Sequence, residues 1–391
     1  MFFLISQSKR SLSIELNEYF TGLGTDSCTK GAFSKARYRV LWVFFRDWHC
    51  HLVSLVYART VCLKTWKGFY LKAIDGTSLY LFKDEELEKD FGSQYNQHTS
   101  IPMARAGIEL DVLNGYCTQA QLQTYAKGER EFAESFLNNS TTQDLRIYDR
   151  FFVSFELIFK HLHKECSFLM RCKIGFNQAV KKFVSSGKKQ DIVEFPISKS
   201  TLLSLQKQGF EVTVNTTVRV RLIRIDIGQK EPEILVTDLI CYKKYPHSCF
   251  KKLYNYRWGD ETKFDQLKNK FQVEIFSGHK TQAIYQDFFA AIIAANLHNL
   301  IVRACDEQLK RSNINRKIPR AINQNVSIGL LKPRLIKLFT AQNPTAIFNE
   351  LKELFLKHLE PVRPGRVYPR TKTARKLKGK YQTFKNYRRA A

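Results

Sequence analysis

Two β-prone runs, Ala104 to Leu113 and Tyr116 to Tyr125, meet at Asn114-Gly115. Asn-Gly between such runs is a strong hairpin signal, because a tight turn there needs residues that tolerate positive φ. Before the hairpin comes a strand-like stretch, Gly68 to Phe82, in which Leu71, Ala73, Ile74, Leu79 and Leu81 surround Asp75-Gly76-Thr77. After it come a helical stretch at Glu129 to Leu137, a short strand at Leu145 to Asp149, a helical stretch at Phe152 to Lys164 and a strand at Ser167 to Lys173.

Strand, hairpin, helix, strand, helix, strand is the order of an RNase H-like core, and the expected class is α/β: a mixed sheet flanked by helices. Residues 1–65 read as a helical N-terminal region, with Leu12 to Leu23 and Ala32 to Tyr57 rich in aromatic and basic residues. Such helices suit either DNA contact or a packing layer. Residues 66–190 form the first part of the core. Residues 191–249 read as a β-rich insertion subdomain, where Phe210 to Ile227 alternates and Glu233 to Cys241 follows the turn Gly228-Gln229-Lys230. Residues 250–345 supply the second part of the core, and 346–391 a C-terminal helix and basic tail.

Charge narrows the partner. The 391 residues hold 63 Lys+Arg against 36 Asp+Glu, a net +27, of which residues 361–391 supply eleven Lys/Arg with no Asp/Glu. A polyanion is implied, and nucleic acid rewards charge spread over a whole chain by releasing condensed counterions. A membrane surface is the competing partner. No run reaches the roughly 18 apolar residues of a spanning helix; the nearest, Phe288 to Val302, is broken by Asn296, His298 and Asn299. Met1 to Arg10 carries its charges after its apolar run, the reverse of a secretory signal. Nine scattered cysteines without a C-x-x-C pair fit free thiols in a reducing cytosol. No G-x-x-x-x-G-K-[ST] loop suggests nucleotide dependence.

The segment Tyr254 to Gln272, read as one helix, places Tyr254, Arg257, Glu261 and Lys268 within about 60° of one another. Phenol, guanidinium, carboxylate and ammonium on one stripe suit a site that cuts a phosphodiester. The stripe alone also fits an ordinary amphipathic helix with an Arg257–Glu261 surface ion pair. Other acids are therefore needed. Asp75 lies in an otherwise apolar strand and Asp149 closes LRIYD, and a charge in such a setting is costly unless paired or bound to metal. In an RNase H-like sheet these two strands are neighbours, so the carboxylates would repel without a cation such as Mg²⁺ between them. Either Asp alone could equally be a strand-end turn former.

With these residues the chain resembles the DDE transposases of bacterial insertion sequences, of the Insertion Sequence Four type. That family's signature of Tyr, two residues, Arg, three residues, Glu, six residues and Lys is matched by Tyr254, Arg257, Glu261 and Lys268. Its first Asp precedes Gly-Thr, as in Asp75-Gly76-Thr77, and its second is followed by Arg or Ala and then Gly-Tyr. Here Asp149-Arg150 keeps the Arg, but Phe151-Phe152 replaces Gly-Tyr. The β insertion and the segment Phe276 to Leu297 are also similar to that family, and the resemblance spans roughly residues 65–310.

The resemblance implies cutting and joining of DNA at element ends. Asp75, Asp149 and Glu261 would hold two Mg²⁺, with Mn²⁺ able to substitute. Tyr254, Arg257 and Lys268 would contact DNA. The partners implied are double-stranded DNA at terminal inverted repeats, target DNA and a second copy of the chain in a homodimeric synaptic complex, with no membrane; the location implied is the bacterial cytoplasm, at the nucleoid. Some members stack a displaced base on a Trp of the β insertion, which here has none. Two rivals remain: a catalytically silent, transposase-derived DNA-binding protein, and a basic RNA-associated structural protein. His161, His163 and Cys166, and likewise His247 and Cys249, have poor spacing for zinc and read as structural, and Asp287 reads as a packing or supporting residue.

Overall fold

The computed structural model describes residues 1–60, 63–95, 100–226, 231–257, 263 and 266–362. The chain divides into two compact units, one of residues 53–78 and 105–264, the other of residues 1–52, 79–104 and 265–391. Of the basic tail expected at residues 361–391, all but residues 361 and 362 lies outside the described residues.

The described strands are β1 (Tyr70–Tyr80), β2 (Ser93–Tyr95), β3 (Ser100–Asp111), β4 (Tyr116–Thr124), β5 (Asp144–Tyr148), β6 (Ser167–Cys172), β7 (Gln190–Pro196), β8 (Thr217–Ile225) and β9 (Glu233–Thr237). They form a nine-stranded mixed sheet in the order β2-β3-β1-β5-β6-β9-β8-β7, with β4 paired to β3. Val112 N donates to Leu71 O at 2.9 Å and Leu81 N to Pro102 O at 3.0 Å, so β1 and β3 run antiparallel. β4 returns beside β3 after residues 112–115, too short a link for a parallel crossover. β5 pairs with β1, and β6 with β5, in parallel. The centre β4-β3-β1-β5-β6 is thus the RNase H-like arrangement that the sequence predicts.

The hairpin turn is wider than Asn-Gly alone suggests. Gly115 takes the positive φ, 77°. Asn114 is held by its side chain instead, which accepts from Lys64 N at 2.8 Å and donates to Lys64 O at 2.9 Å and to Asp111 Oδ2 at 2.8 Å. β9 pairs antiparallel with β6, β8 with β9, and β7 with β8, so the β-rich block continues the core sheet. β8 begins only at Thr217, after a turn in which Thr216 N donates to Thr213 O at 3.0 Å and Thr213 N to Thr216 Oγ1 at 2.9 Å.

The helices of residues 1–60 are α1 (Phe2–Ser6), α2 (Leu12–Thr21), α3 (Lys30–Arg37) and α4 (Trp42–Arg59), followed by α5 (Glu85–Phe91). α6 (Glu129–Leu137), α7 (Phe155–His163) and α8 (Gln178–Ser185) pack with Ile74, Tyr148, Phe168, Met170 and Val220 in one buried cluster. Leu71, Leu145, Ile147, Leu169 and Leu235 form a second cluster. Because strand residues alternate between faces, this cluster lies on the opposite side of the sheet. There it meets Phe250, Leu253 and Tyr254; α9 (Lys199–Lys207) precedes β8, and α10 (Cys249–Asn255) carries those three residues.

In the other unit the long helix Thr281–Ala304 is buried along much of its length. Among the described residues it is the one helix long and apolar enough to cross a membrane, but 67% of its most apolar window is buried. Its Asp287 accepts from Arg37 Nη2 at 3.0 Å and from Ser277 N at 2.5 Å. Arg37 Nε also donates to Gln286 Oε1 at 2.8 Å, while the Gln286 amide donates to the Arg37 and Val40 carbonyls at 3.0 and 2.5 Å. These bonds satisfy carbonyls at the end of α3 and just beyond it, and the chain turns before α4 starts at Trp42, within the region that the sequence reads as mostly helical.

Candidate active site

Asp75 lies on β1, and Asp149 directly follows β5. The parallel register of the two strands runs Tyr70↔Asp144, Leu71↔Leu145, Lys72↔Arg146 and Ala73↔Ile147. Continued by two residues, it brings Asp75 opposite Asp149, on strands about 4.8 Å apart. Both follow wholly buried stretches, residues 71–74 and 145–148, and are themselves half-buried. Asp75 shares the parity of Leu71, and Asp149 that of Leu145 and Ile147, so both project from the face that α10 covers. Each carboxylate caps its own chain: Asp75 Oδ1 accepts from Gly76 N at 2.9 Å and Asp149 Oδ1 from Arg150 N at 2.7 Å.

Tyr254 of α10 lies within the field of Asp149. It is 4% exposed, and its hydroxyl is buried without a hydrogen-bond partner. Burial foremost raises its phenol above the ordinary range; the Arg257 guanidinium opposes the shift and the Asp149 charge adds to it. A buried hydroxyl without a partner is costly, and a phosphate oxygen is the kind of acceptor it lacks. Arg257 is 8% exposed, with its guanidinium carbon 6.0 Å from the Tyr254 ring centre. Nearby in the same field, Arg171 Nη1 of β6 pairs with Glu233 Oε1 of β9 at 3.1 Å.

The helix expected through Tyr254 to Gln272 is interrupted. α10 ends at Asn255, Arg257 sits in a turn, and Gln266–Lys270 is a π-helical turn. The single helical stripe of Tyr254, Arg257, Glu261 and Lys268 is therefore not a feature of the described residues, and Glu261 itself lies outside them. Lys268 belongs to the other unit, where its Nζ is 3.3 Å from Glu274 Oε1.

A further acid escapes a reading of the sequence alone. Glu129 opens α6, and a Cβ placed on Gly76 would stand 2.7 Å from its Cγ. Arg105 Nη1 is 3.3 Å from Glu129 Oε1. Burial first, with the Asp149 charge adding to it, raises the Glu129 carboxyl above its usual range in spite of Arg105. The one signal for this neighbour was the glycine after Asp75, since a glycine inside a strand marks close approach by another group.

Among the described residues no three His, Cys, Asp or Glu side chains come together closely enough to hold a metal ion. Asp75 and Asp149 nonetheless fit two ligands of a hard divalent cation: paired carboxylate oxygens whose mutual repulsion such an ion would relieve. The histidines set aside for zinc have other partners. His161 lies between Tyr148 Oη and Cys166 O, each at 2.8 Å, and His247 Nε2 is 2.9 Å from Arg224 O.

The family model for the transposase DDE domain matches residues 66–297. No curated protein sequence matches the chain. Among solved structures, the chain is similar to the piggyBac transposase in the cryo-EM structure of its synaptic complex with hairpin DNA, at 12% identity and a TM-score of 0.35, covering 81% of this chain and 63% of that one. The chain thus spans less than two thirds of that relative's length. Since the family match takes in more than half of the 391 residues and includes the Asp75 and Asp149 strands, this chain belongs to the transposase DDE-domain family.

Proposed function

We propose that the protein is a transposase that cuts and joins DNA at the ends of a mobile element, with Asp75, Asp149 and Glu261 as its acids. The observation that supports this is the parallel register of β1 and β5, which, continued by two residues, would set Asp75 opposite Asp149, within a chain of net charge +27. The reaction is in-line displacement at phosphorus, by water in cutting and by a 3′-hydroxyl in joining. The three acids would hold Mg²⁺, or Mn²⁺ in its place; such ions when bound supply Lewis acidity at the attacking and leaving oxygens.

The chain's own residues supply the rest. Arg257 holds a phosphate oxygen through its planar donors. The Tyr254 hydroxyl, without a partner inside the protein, donates to a phosphate beside the cut. Lys268 neutralises phosphate further along the duplex. Membership of the Insertion Sequence Four group, terminal inverted repeats as substrate, a homodimer across two ends and a bacterial cytoplasmic setting all belong to this reading, through the signature residues.

The test is purified protein with Mg²⁺ and a duplex of the DNA flanking its reading frame. Specific nicking or excision at the element ends is expected, and Asp75→Ala, Asp149→Ala and Glu261→Ala each abolish it while the duplex is still bound. Tight binding of the ends by wild type without any cutting would replace this reading with that of a silent DNA-binding descendant.

A further inference from the structure

Past residue 297, where the family match ends, the chain carries a basic arm. Residues 308–320 hold five Lys/Arg (Lys310, Arg311, Arg316, Lys317 and Arg320) and no Asp/Glu. The helix Asp306–Asn313 that opens the arm has no buried residue, and the arm is anchored at its ends by Cys305 and Ile322, which are 0% and 5% exposed. Residues 314–319 form a loop closed by one side chain: the Asn313 amide accepts from Arg320 N at 2.9 Å and donates to Arg320 O at 2.8 Å. Two isoleucines of this loop face solvent, Ile314 at 75% exposure and Ile318 at 49%. An isoleucine left in water forgoes the gain of burial, and two of them among five cations suit a partner that takes apolar and positive groups together. At the loop's base Val362 N donates to Pro319 O at 2.8 Å, and the strand Arg320–Ile322 pairs antiparallel with Leu359–Pro361. The basic tail, with eleven more Lys/Arg in residues 361–391, therefore starts from the base of this loop.

We propose that residues 310–320 are an arm that enters the minor groove of duplex DNA and bends it, with Ile314 and Ile318 wedged at base steps and the five cations on the flanking phosphates. This rests on the reading that the chain binds DNA, and not on its cutting it. Minor-groove binders combine apolar wedges with Arg and Asn side chains; the wedge partly unstacks a step and kinks the duplex, and the added contacts offset that cost. The Asn313 clamp holds both isoleucines on one short loop, so less freedom is lost when they enter together. A lipid surface also takes cations with apolar residues, but two isoleucines bury little area there. A duplex gains from each cation of the arm and of the tail that follows it, by release of counterions.

The test uses the full chain and an A·T-rich duplex of about 30 base pairs with a fluorophore at each end, so that bending raises energy transfer. Wild type should raise it, and netropsin, which fills the minor groove, should suppress the rise. Ile314→Ala/Ile318→Ala should lose the rise while its binding keeps the wild-type salt dependence. Arg316→Ala/Lys317→Ala should lower the slope of log affinity against log salt by about two. All four positions are exposed, and circular dichroism checks that each variant is folded. A rise that survives in the isoleucine variant, or a slope unchanged in the cation variant, overturns the arm and leaves the cutting reading standing. A rise lost in the isoleucine variant, with no cutting of element ends by wild type, supports the arm and removes the cutting reading. Isoleucine-dependent pelleting with phosphatidylserine vesicles, without bending of DNA, overturns the arm in favour of a lipid surface. Failure of wild type to bind any duplex overturns both readings.

Discussion

Glu109 of β3 and Arg146 of β5 form a buried ion pair across the intervening β1, with Arg146 Nη2 2.5 Å from Glu109 Oε2 and side-chain exposures of 3% and 0%. Burial works against the Glu109 charge, but Arg146, Lys72 and hydrogen bonds from Gln119 and Thr118 outweigh it and hold the carboxyl below its usual range. Bracing β3 against β5 fixes β1 between them, and with it the alignment of Asp75 and Asp149. Removing one partner of a buried pair strands the other charge, so Glu109→Leu should cost about 3–5 kcal/mol. The double variant Glu109→Leu/Arg146→Met should recover most of that loss. Denaturant midpoints check this, and equal losses in the single and double variants would contradict it.

Acid should unfold the protein partly through His161. Burial first, and then the Arg146 guanidinium, push its imidazole down to about 3, against roughly 6.5 in an unfolded chain. Between those values the unfolded chain holds a proton that the folded one lacks. Stability contributed by neutral His161 is therefore complete above about pH 6.5 and is lost as pH falls towards the folded value. Replacing His161→Gln removes the titration, so the slope of the denaturation midpoint against pH should flatten across this window. An unchanged slope would show that His161 is not the group responsible.

Gly76→Ala tests the close approach of Glu129. The new Cβ would meet Glu129 Cγ at 2.7 Å, one residue from Asp75. Displacing a helix terminus beside reacting groups should lower cleavage roughly ten-fold or more, with far-ultraviolet circular dichroism unchanged. A wild-type rate would mean that the Glu129 side chain swings away without disturbing Asp75.

Much of this arrangement could be read from the sequence, and the misses share a cause. β1, the β3–β4 hairpin, β5 and β6 were legible because alternation and Asn114-Gly115 are local signals. The breaks in helices were not. α3 stops where the Arg37 side chain reaches Asp287, 250 residues away, and no window of sequence contains that bond. Polar spacing alone reads the Tyr254 stripe as one helix, because it does not reveal that α10 ends at Asn255. Asp75 and Asp149 stood out as charges in apolar strands, whereas Glu129 looked like any acid in the first turn of a helix, where the dipole favours one.

Lys268→Ala should weaken end binding uniformly across sequences and reduce the slope of log affinity against log salt by about one. Fluorescence anisotropy over a salt series measures this. An unchanged slope would leave Lys268 to its partner Glu274, 3.3 Å away, with no part in phosphate contact.

The most direct test of the account is metal specificity in Asp75→Cys and Asp149→Cys. A thiolate is a poor ligand for Mg²⁺ and a better one for Mn²⁺. If both positions hold the ions that support DNA cutting, each variant should be inactive with Mg²⁺ and regain measurable cleavage with Mn²⁺, while wild type is active with either. Cleavage by either variant at the wild-type rate in Mg²⁺ would contradict a shared ion site at Asp75 and Asp149.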